Sequence, residues 1–515
     1  MGTHRHTRGL NSLIANYGHK SPSLASERRP PSERCVTVSP RPRIASVALT
    51  AAVVLGGAVG IAPPRAAAEP CTGPNAGVLP PNGVPSSGVM RPPSGGHRPS
   101  NANDKAPLPT LGKLSRSLLS VFTQGTVQQQ AGVLPGQPRV PQPPVQPRAA
   151  QPAPAAAQPQ PGAEPAPPID AGTTSLVGWV TGDQSAGGDT LQRFGISGTD
   201  LGIMWDNGDP ANNQVLMMFG DTYGYCATPN QQWRYNTMLR TSDRTLSHGI
   251  HIPPGSVTNP YSGSPEWQPN LAKQTIPTIR WAPVEKGIIP TSGVAVGKTQ
   301  YASFMSIKNW DSAGAWTTNY SAIAVSNDNG QNWGVYPSSV RPMAPDSVSR
   351  VAYLPGNENF QQGAFLKGSD GYIYSYGTPS GRIGNAYVSR VPQNLLPDMS
   401  KYEYWNNESQ SWVPNNPSAA SPIIPGPVGE MSVQYNTYLK QYLAMYCNNL
   451  SDVVIRTAPT PQGPWGPEQL VVSSMQFPGG VYAPYLHPWS NGRDLYFTLS
   501  LWSAYNVMLL HTVLP

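Results

Sequence analysis

GTDLGIMWDNGDPANNQVLMMFGDT, residues 198–222, reads as two β-strands folded back on each other. Residues 201–205 are the first strand and residues 215–219 the second, and Asp206, Asn207 and Gly208 are the residue types a turn requires. Asp200 precedes the first strand and Asp221 follows the second. Because a hairpin reverses the chain, both carboxylates emerge at one end. Two acids held on one rigid end can begin an acid–base site, whereas a single Asp there more often caps a turn. The rest of the chain decides between these readings.

Outward from the hairpin, the same order of strands recurs five times. An inner segment (201–205, 293–296, 363–366, 431–434, 482–486) is followed by an apolar one (215–219, 301–305, 372–376, 442–446, 495–499). A third follows each (235–241, 320–326, 384–390, 451–457, 505–511). Five such repeats with little long-helix pattern predict an all-β chain, a β-propeller of five blades. One repeat carries SNDNGQNW, residues 326–333, which matches the Asp-box S-x-D-x-G-x-x-W of sialidase-type propellers. That box belongs to an outer turn, so Asp328 reads as structural; TAPTPQGPW, residues 457–465, holds the equivalent place in the fourth repeat.

A propeller gives the acids a meeting point. Inner strands line a central channel side by side, so the residues just before them gather at one mouth. Asp200 stands there in the first repeat and Glu430, in VGEMS, at the matching place in the fourth. Asp221 ends a strand that runs back to the same mouth. Glycoside hydrolysis needs one carboxyl that gives a proton and one that stays ionised, which such a trio can supply. Glu430 is the expected proton donor, beside apolar Met431 and Val433. Asp200 is the expected base or nucleophile and Asp221 an orienting group. Tyr223, Trp233, Trp310 and Arg193 are the expected substrate contacts, among the wider set Trp205, Trp316, Trp405 and Trp502 that could present ring faces to sugars. No Ser/His/Asp or Cys/His signature and no phosphate-cradling loop stands out. No cofactor or metal is expected, apart from a structural calcium ion that a propeller channel could hold.

GTDLGIMWDNG, MMFGDTYG, YNTMLRTSDRTLSHG, VGEMSVQYN, RTAPTPQGPW, HPW and YNVMLLHT together resemble the mycobacterial domain-of-unknown-function family 4185, classed as glycoside hydrolase family 183. The resemblance spans nearly all of residues 173–515. It implies a five-bladed propeller with endo-D-arabinanase-like activity on the D-arabinan of arabinogalactan and lipoarabinomannan. The expected partner is cell-wall polysaccharide, and the expected state a monomer. Two other classes compete. One is a non-catalytic glycan-binding propeller. The other is a sialidase-like enzyme, prompted by the Asp-box and Arg193, although no second and third arginine falls on inner strands.

The first 172 residues are of another kind. Residues 1–68 run from basic (Arg28, Arg29, Arg34, Arg41, Arg43) through an apolar stretch at 44–62 to Ala66, Ala67 and Ala68. That is the order of a secretory signal, with cleavage expected after Ala68 and an uncleaved anchor as the rival. Residues 1–65 hold nine Lys and Arg against two acids, and the whole chain 34 against 27, so the remainder is balanced. The basic pI therefore belongs to the leader and points to no nucleic-acid partner. Residues 69–172, rich in Pro, Gln and Ala, read as a disordered tether of on the order of 300 Å at most. Leu111, Leu114, Leu118 and Phe122 mark one helical island within it. Of the three cysteines beyond the leader, Cys226–Cys447 is one disulfide an exported protein could form, leaving Cys71 over, and spacing leaves the pairing of the three open.

Overall fold

Continuous apolar runs such as VLMMF suit a strand buried on both faces, and here they form the middle of five antiparallel sheets. In the computed structural model the described residues are Cys71, 77–80 and 173–515 apart from Ala313, all within the unit Pro63–Pro515. The expected leader, the helical island and almost all of the tether lie outside them. The inner strands are Leu201–Asp206, Gly287–Val296, Gln362–Lys367, Met431–Asn436 and Val481–Leu486. Val215–Phe219, Thr299–Ser312, Tyr372–Thr378, Gln441–Cys447 and Asp494–Leu501 pair with them in turn. Thr237–Thr241, Ala315–Ser326, Gly384–Pro392, Val453–Ala458 and Asn506–Val513 come third. Each inner strand touches the next in cyclic order, and the fifth touches the first. The fold is a five-bladed β-propeller, as its repeats predict.

The ring is closed by the backbone. Ser175–Trp179 pairs antiparallel with Asn506–Val513, placing Ser175 opposite His511 and Trp179 opposite Met508. A strand from the start of the domain thus completes the last blade. Apolar cores lie between neighbouring blades, one of them joining the first, second and fifth through Phe219, Phe304 and Leu509. Gly293 belongs to this packing: a Cβ there would run into the Trp205 ring.

The Asp-box is a turn lock. Ser326 Oγ donates to Asp328 Oδ1 at 2.7 Å, Asn332 N–H to the same oxygen at 2.9 Å, and Trp333 Nε1–H to the Gly330 carbonyl at 3.0 Å. Burial works against the charge of Asp328, but these hydrogen bonds prevail and hold its pKa below the ordinary value. Asn329 and Gln331 tie the box to the first blade through Asn207 and Arg240.

The cysteine expectation is corrected. Cys226 is bonded to Cys71, with a Cα separation of 5.3 Å, and Cys447 is free and half-buried. Cys447 ends the second strand of the fourth blade, while Cys226 follows the second strand of the first. The fifth blade stands between those two in the ring, beyond the few ångströms a disulfide spans.

Candidate active site

Three bulges shape the channel at one level. Register shifts interrupt the inner strands between Leu201 and Ile203, Pro290 and Ser292, and Tyr482 and Tyr485. Bulges re-aim side chains, and they recur beside functional sites. Leu201 has φ 75° and Ala483 φ 51°, left-handed conformations that cost a non-glycine residue roughly 1–3 kcal/mol each. They stand directly after Asp200 and Tyr482. Those two residues meet across the seam between the last blade and the first, where the Tyr482 hydroxyl donates to Asp200 Oδ2 at 2.9 Å.

Asp200, Asp221 and Glu430 line one cavity, as topology requires of residues at the starts and returns of these strands. Gly220 N–H donates to the Asp200 carbonyl at 3.2 Å, holding the two ends of the hairpin together. A Cβ on Gly220 would lie 2.5 Å from Asp200 Oδ1, so glycine leaves the Asp200 carboxylate the place it occupies beside the returning strand. Trp310, Trp316 and Trp502 also face the cavity. Trp310 and Trp316 are cross-strand partners near the tip of a long hairpin, their rings edge to face at 6.1 Å. At the tip, a Cβ on Gly314 would lie 3.4 Å from Arg382 Nη1, so the hairpin of the second blade reaches a turn of the third. The space beneath is about 30 Å³. That is room for about two waters, on the ~10–15 Å³ each needs.

Arg382 was not legible from the inner strands. It lies between the second and third strands of its blade, and such turns share the mouth with the starts of inner strands. The same topology that brings Asp221 to the mouth brings the corresponding turn of every other blade there. Arg382 Nε donates to Glu430 Oε2 at 2.8 Å and Nη2 to Oε1 at 2.6 Å, a two-pronged ion pair. Its guanidinium lies 5.2 Å from the Trp316 ring centre and 5.0 Å from that of Tyr482. Burial alone would weaken the charge on Arg382, yet Glu430 beside it raises its pKa overall. Burial, and then the charge of Glu430, push the Tyr485 phenol and the Cys447 thiol upward. The expected apolar setting of Glu430 is therefore corrected: a guanidinium occupies it.

The other expected contacts divide. Trp310 faces the cavity. Trp233 is buried behind it and donates its indole N–H to Asp221 Oδ1 at 3.0 Å, holding an acid rather than facing a ligand. Tyr223 is buried against Tyr505, ring centres 5.6 Å apart, and is not in the lining. Arg193, on the short helix Thr190–Phe194, is not in the lining either; it donates to the Ile252 carbonyl. Trp405 packs on Trp412 at 5.2 Å. Among the described residues, no three His, Cys, Asp or Glu side chains are arranged to hold a metal ion.

The model of the family described as "Domain of unknown function (DUF4185)" matches residues 185–511. Notoamide biosynthesis cluster protein J' of Aspergillus versicolor is 28% identical over 334 residues, 61% of this chain and 83% of that protein. A GH43_1 enzyme from Xanthomonas citri, solved with xylotriose, is similar at 12% identity and a TM-score of 0.35, over 63% of this chain and 92% of its own. Xylan beta-1,4-xylosidase from Bacillus halodurans is similar at 10% identity and a TM-score of 0.36, over 62% and 54%.

Proposed function

This chain belongs to the DUF4185 family, and we propose that it is a glycoside hydrolase whose active site is the three-acid cavity. The observation that carries the proposal is the convergence of Asp200, Asp221 and Glu430, with three tryptophans, at one mouth of the ring. Carboxyls give the proton transfer that glycoside cleavage needs, and indole faces suit the C–H faces of sugars. The substrate we favour is the D-arabinofuranose polymer of a cell wall, cut internally. That choice rests on the motif resemblance. The disulfide supports an exported protein, since such bonds persist in oxidising compartments.

The ion pair changes the roles expected from sequence. A proton donor at Glu430 would have to shed both prongs of Arg382. Glu430 therefore fits the ionised partner better, and Asp221, buried to 3% exposure, is the better donor. Asp200, held by Tyr482, orients the sugar or the attacking water.

One observation favours a second reading, the non-catalytic glycan-binding propeller: the acid cavity is small and its arginine is engaged. The sialidase-like reading loses ground, because Arg382 is the one arginine in the lining and Arg193 is elsewhere. The test is a digest of purified arabinogalactan with the whole chain, the products resolved by chromatography. Shortened oligosaccharides that vanish with Asp200→Asn are expected. Retention on the polymer without any product would establish the binding module instead.

A further inference from the structure

The channel through the ring is partitioned. Tyr485 lines the acid cavity and also a second one, and its hydroxyl donates across the ring to the Thr291 carbonyl. Beyond that bar lies a chamber of about 330 Å³, walled by the inner strands of all five blades as they run away from the acids. Its size falls at the lower end of the ~300–1,000 Å³ usual for ligand pockets.

The walls of the chamber are amphipathic. Phe365, Leu366 and Val433 offer apolar surface, while Asp206, Lys367 and Gln434 offer polar groups. Asp206 is a fixed acceptor, its carboxylate receiving Gly208 N–H at 2.7 Å, Asn213 Nδ2–H at 2.8 Å and Trp489 Nε1–H at 2.5 Å. Asp206 and Lys367 are the charged side chains in the lining, and they cancel. At the rim Tyr435 is 41% exposed, braced edge-on by Tyr442 with ring centres 5.1 Å apart. The exposed Tyr438 continues the same hairpin.

We propose that this distal chamber is a second, non-catalytic binding site for a neutral saccharide. Tyr435 is its stacking face, and Asp206 and Gln434 are partners for hydroxyls. An anionic ligand would find one lysine and meet the carboxylate of Asp206, whereas a neutral polyol with C–H faces matches both kinds of wall without an unpaired charge. Such a site would hold the propeller on a polymer by the face opposite its acids.

The experiment uses the whole chain carrying Asp200→Asn, so that no ligand is consumed. A neutral arabinan-derived tetrasaccharide is titrated in by calorimetry, with and without Tyr435→Ala and Gln434→Ala. We expect either substitution to weaken one class of site at least tenfold; thermal unfolding should be unchanged in Tyr435→Ala, Tyr435 being exposed, and somewhat lowered in Gln434→Ala, which also gives up the Gln434 Nε2–H bond to the Ser490 carbonyl at 3.1 Å. In the active chain, Tyr435→Ala should leave turnover of a soluble substrate intact and lower retention on insoluble polysaccharide. Absent binding, or binding indifferent to both substitutions, overturns the proposal, and tighter binding of a phosphorylated saccharide overturns the ligand class. Loss of turnover alone bears on the acid cavity and not on this site.

Discussion

Arg382 holds both carboxylate oxygens of Glu430 from the neighbouring blade, 48 residues away in sequence, with side-chain exposures of 19% and 12%. Breaking a largely buried pair from one side strands the other charge, at a cost of about 3–5 kcal/mol. Arg382→Met should therefore destabilise the propeller by about that much, and Arg382→Met with Glu430→Gln should recover a large part of it. Urea denaturation of the single and double variants measures the coupling. Equal stability in all of them would show the pair to be energetically idle.

The acids should separate by rescue. Asp200→Asn, Asp221→Asn and Glu430→Gln are each expected to lower kcat by about 10²–10⁴-fold with the fold retained. Only the variant of the proton donor should recover on an aryl glycoside whose leaving group needs no proton. We expect that variant to be Asp221→Asn. Recovery of Glu430→Gln instead would restore the role its sequence position implies and would mean that Arg382 moves away on binding.

Gly220→Ala tests the closeness of the hairpin ends. The new methyl group would lie 2.5 Å from Asp200 Oδ1, so the carboxylate must turn away. Overpacking of this kind costs about 1–3 kcal/mol. Turnover should fall by roughly the factor seen for Asp200→Asn, a comparison that steady-state kinetics on both variants makes directly.

Stability against pH should expose two buried groups that oppose each other. Burial raises Glu266 to about 7 from 4.5 and lowers His487 to about 4 from 6.5. Between about 5 and 6 the folded protein keeps a proton on Glu266 that the unfolded chain releases, so its stabilising effect is full below 4.5 and lost as pH rises through 7. For His487 the unfolded chain binds the extra proton, so its stabilisation is full above 6.5 and lost as pH falls through 4. The slopes cancel in the parent across that window. Glu266→Gln should become more stable as pH rises there, and His487→Asn less stable, as thermal unfolding across the range would show.

The architecture was open to reading because a propeller repeats itself. Five copies of one strand order recur, and the middle strands carry apolar residues on both faces because blades cover both. The position of Asp200 before an inner strand and of Asp221 after a returning one followed from chain reversal alone. What sequence concealed was whatever depends on ring position. Trp233 and Tyr223 have the composition of sugar contacts, yet they stand one layer behind the wall. Arg382 sits in an ordinary SGR turn, and only the neighbouring blade's Glu430 gives it meaning. The cysteine pairing failed for the same reason, since nothing in the spacing of Cys226 and Cys447 tells which blades adjoin.

The disulfide alters what the Pro-rich stretch can be. With Cys71 bonded to Cys226, and Ser175–Trp179 stitched into the last blade, residues 72–172 are bounded on both sides by attachments to the propeller. A leash has one end on its load and the other elsewhere; the bond at Cys71 leaves this segment with both ends on the load. A protease that cuts it once releases nothing, because the pieces stay joined through sulfur until a reductant arrives.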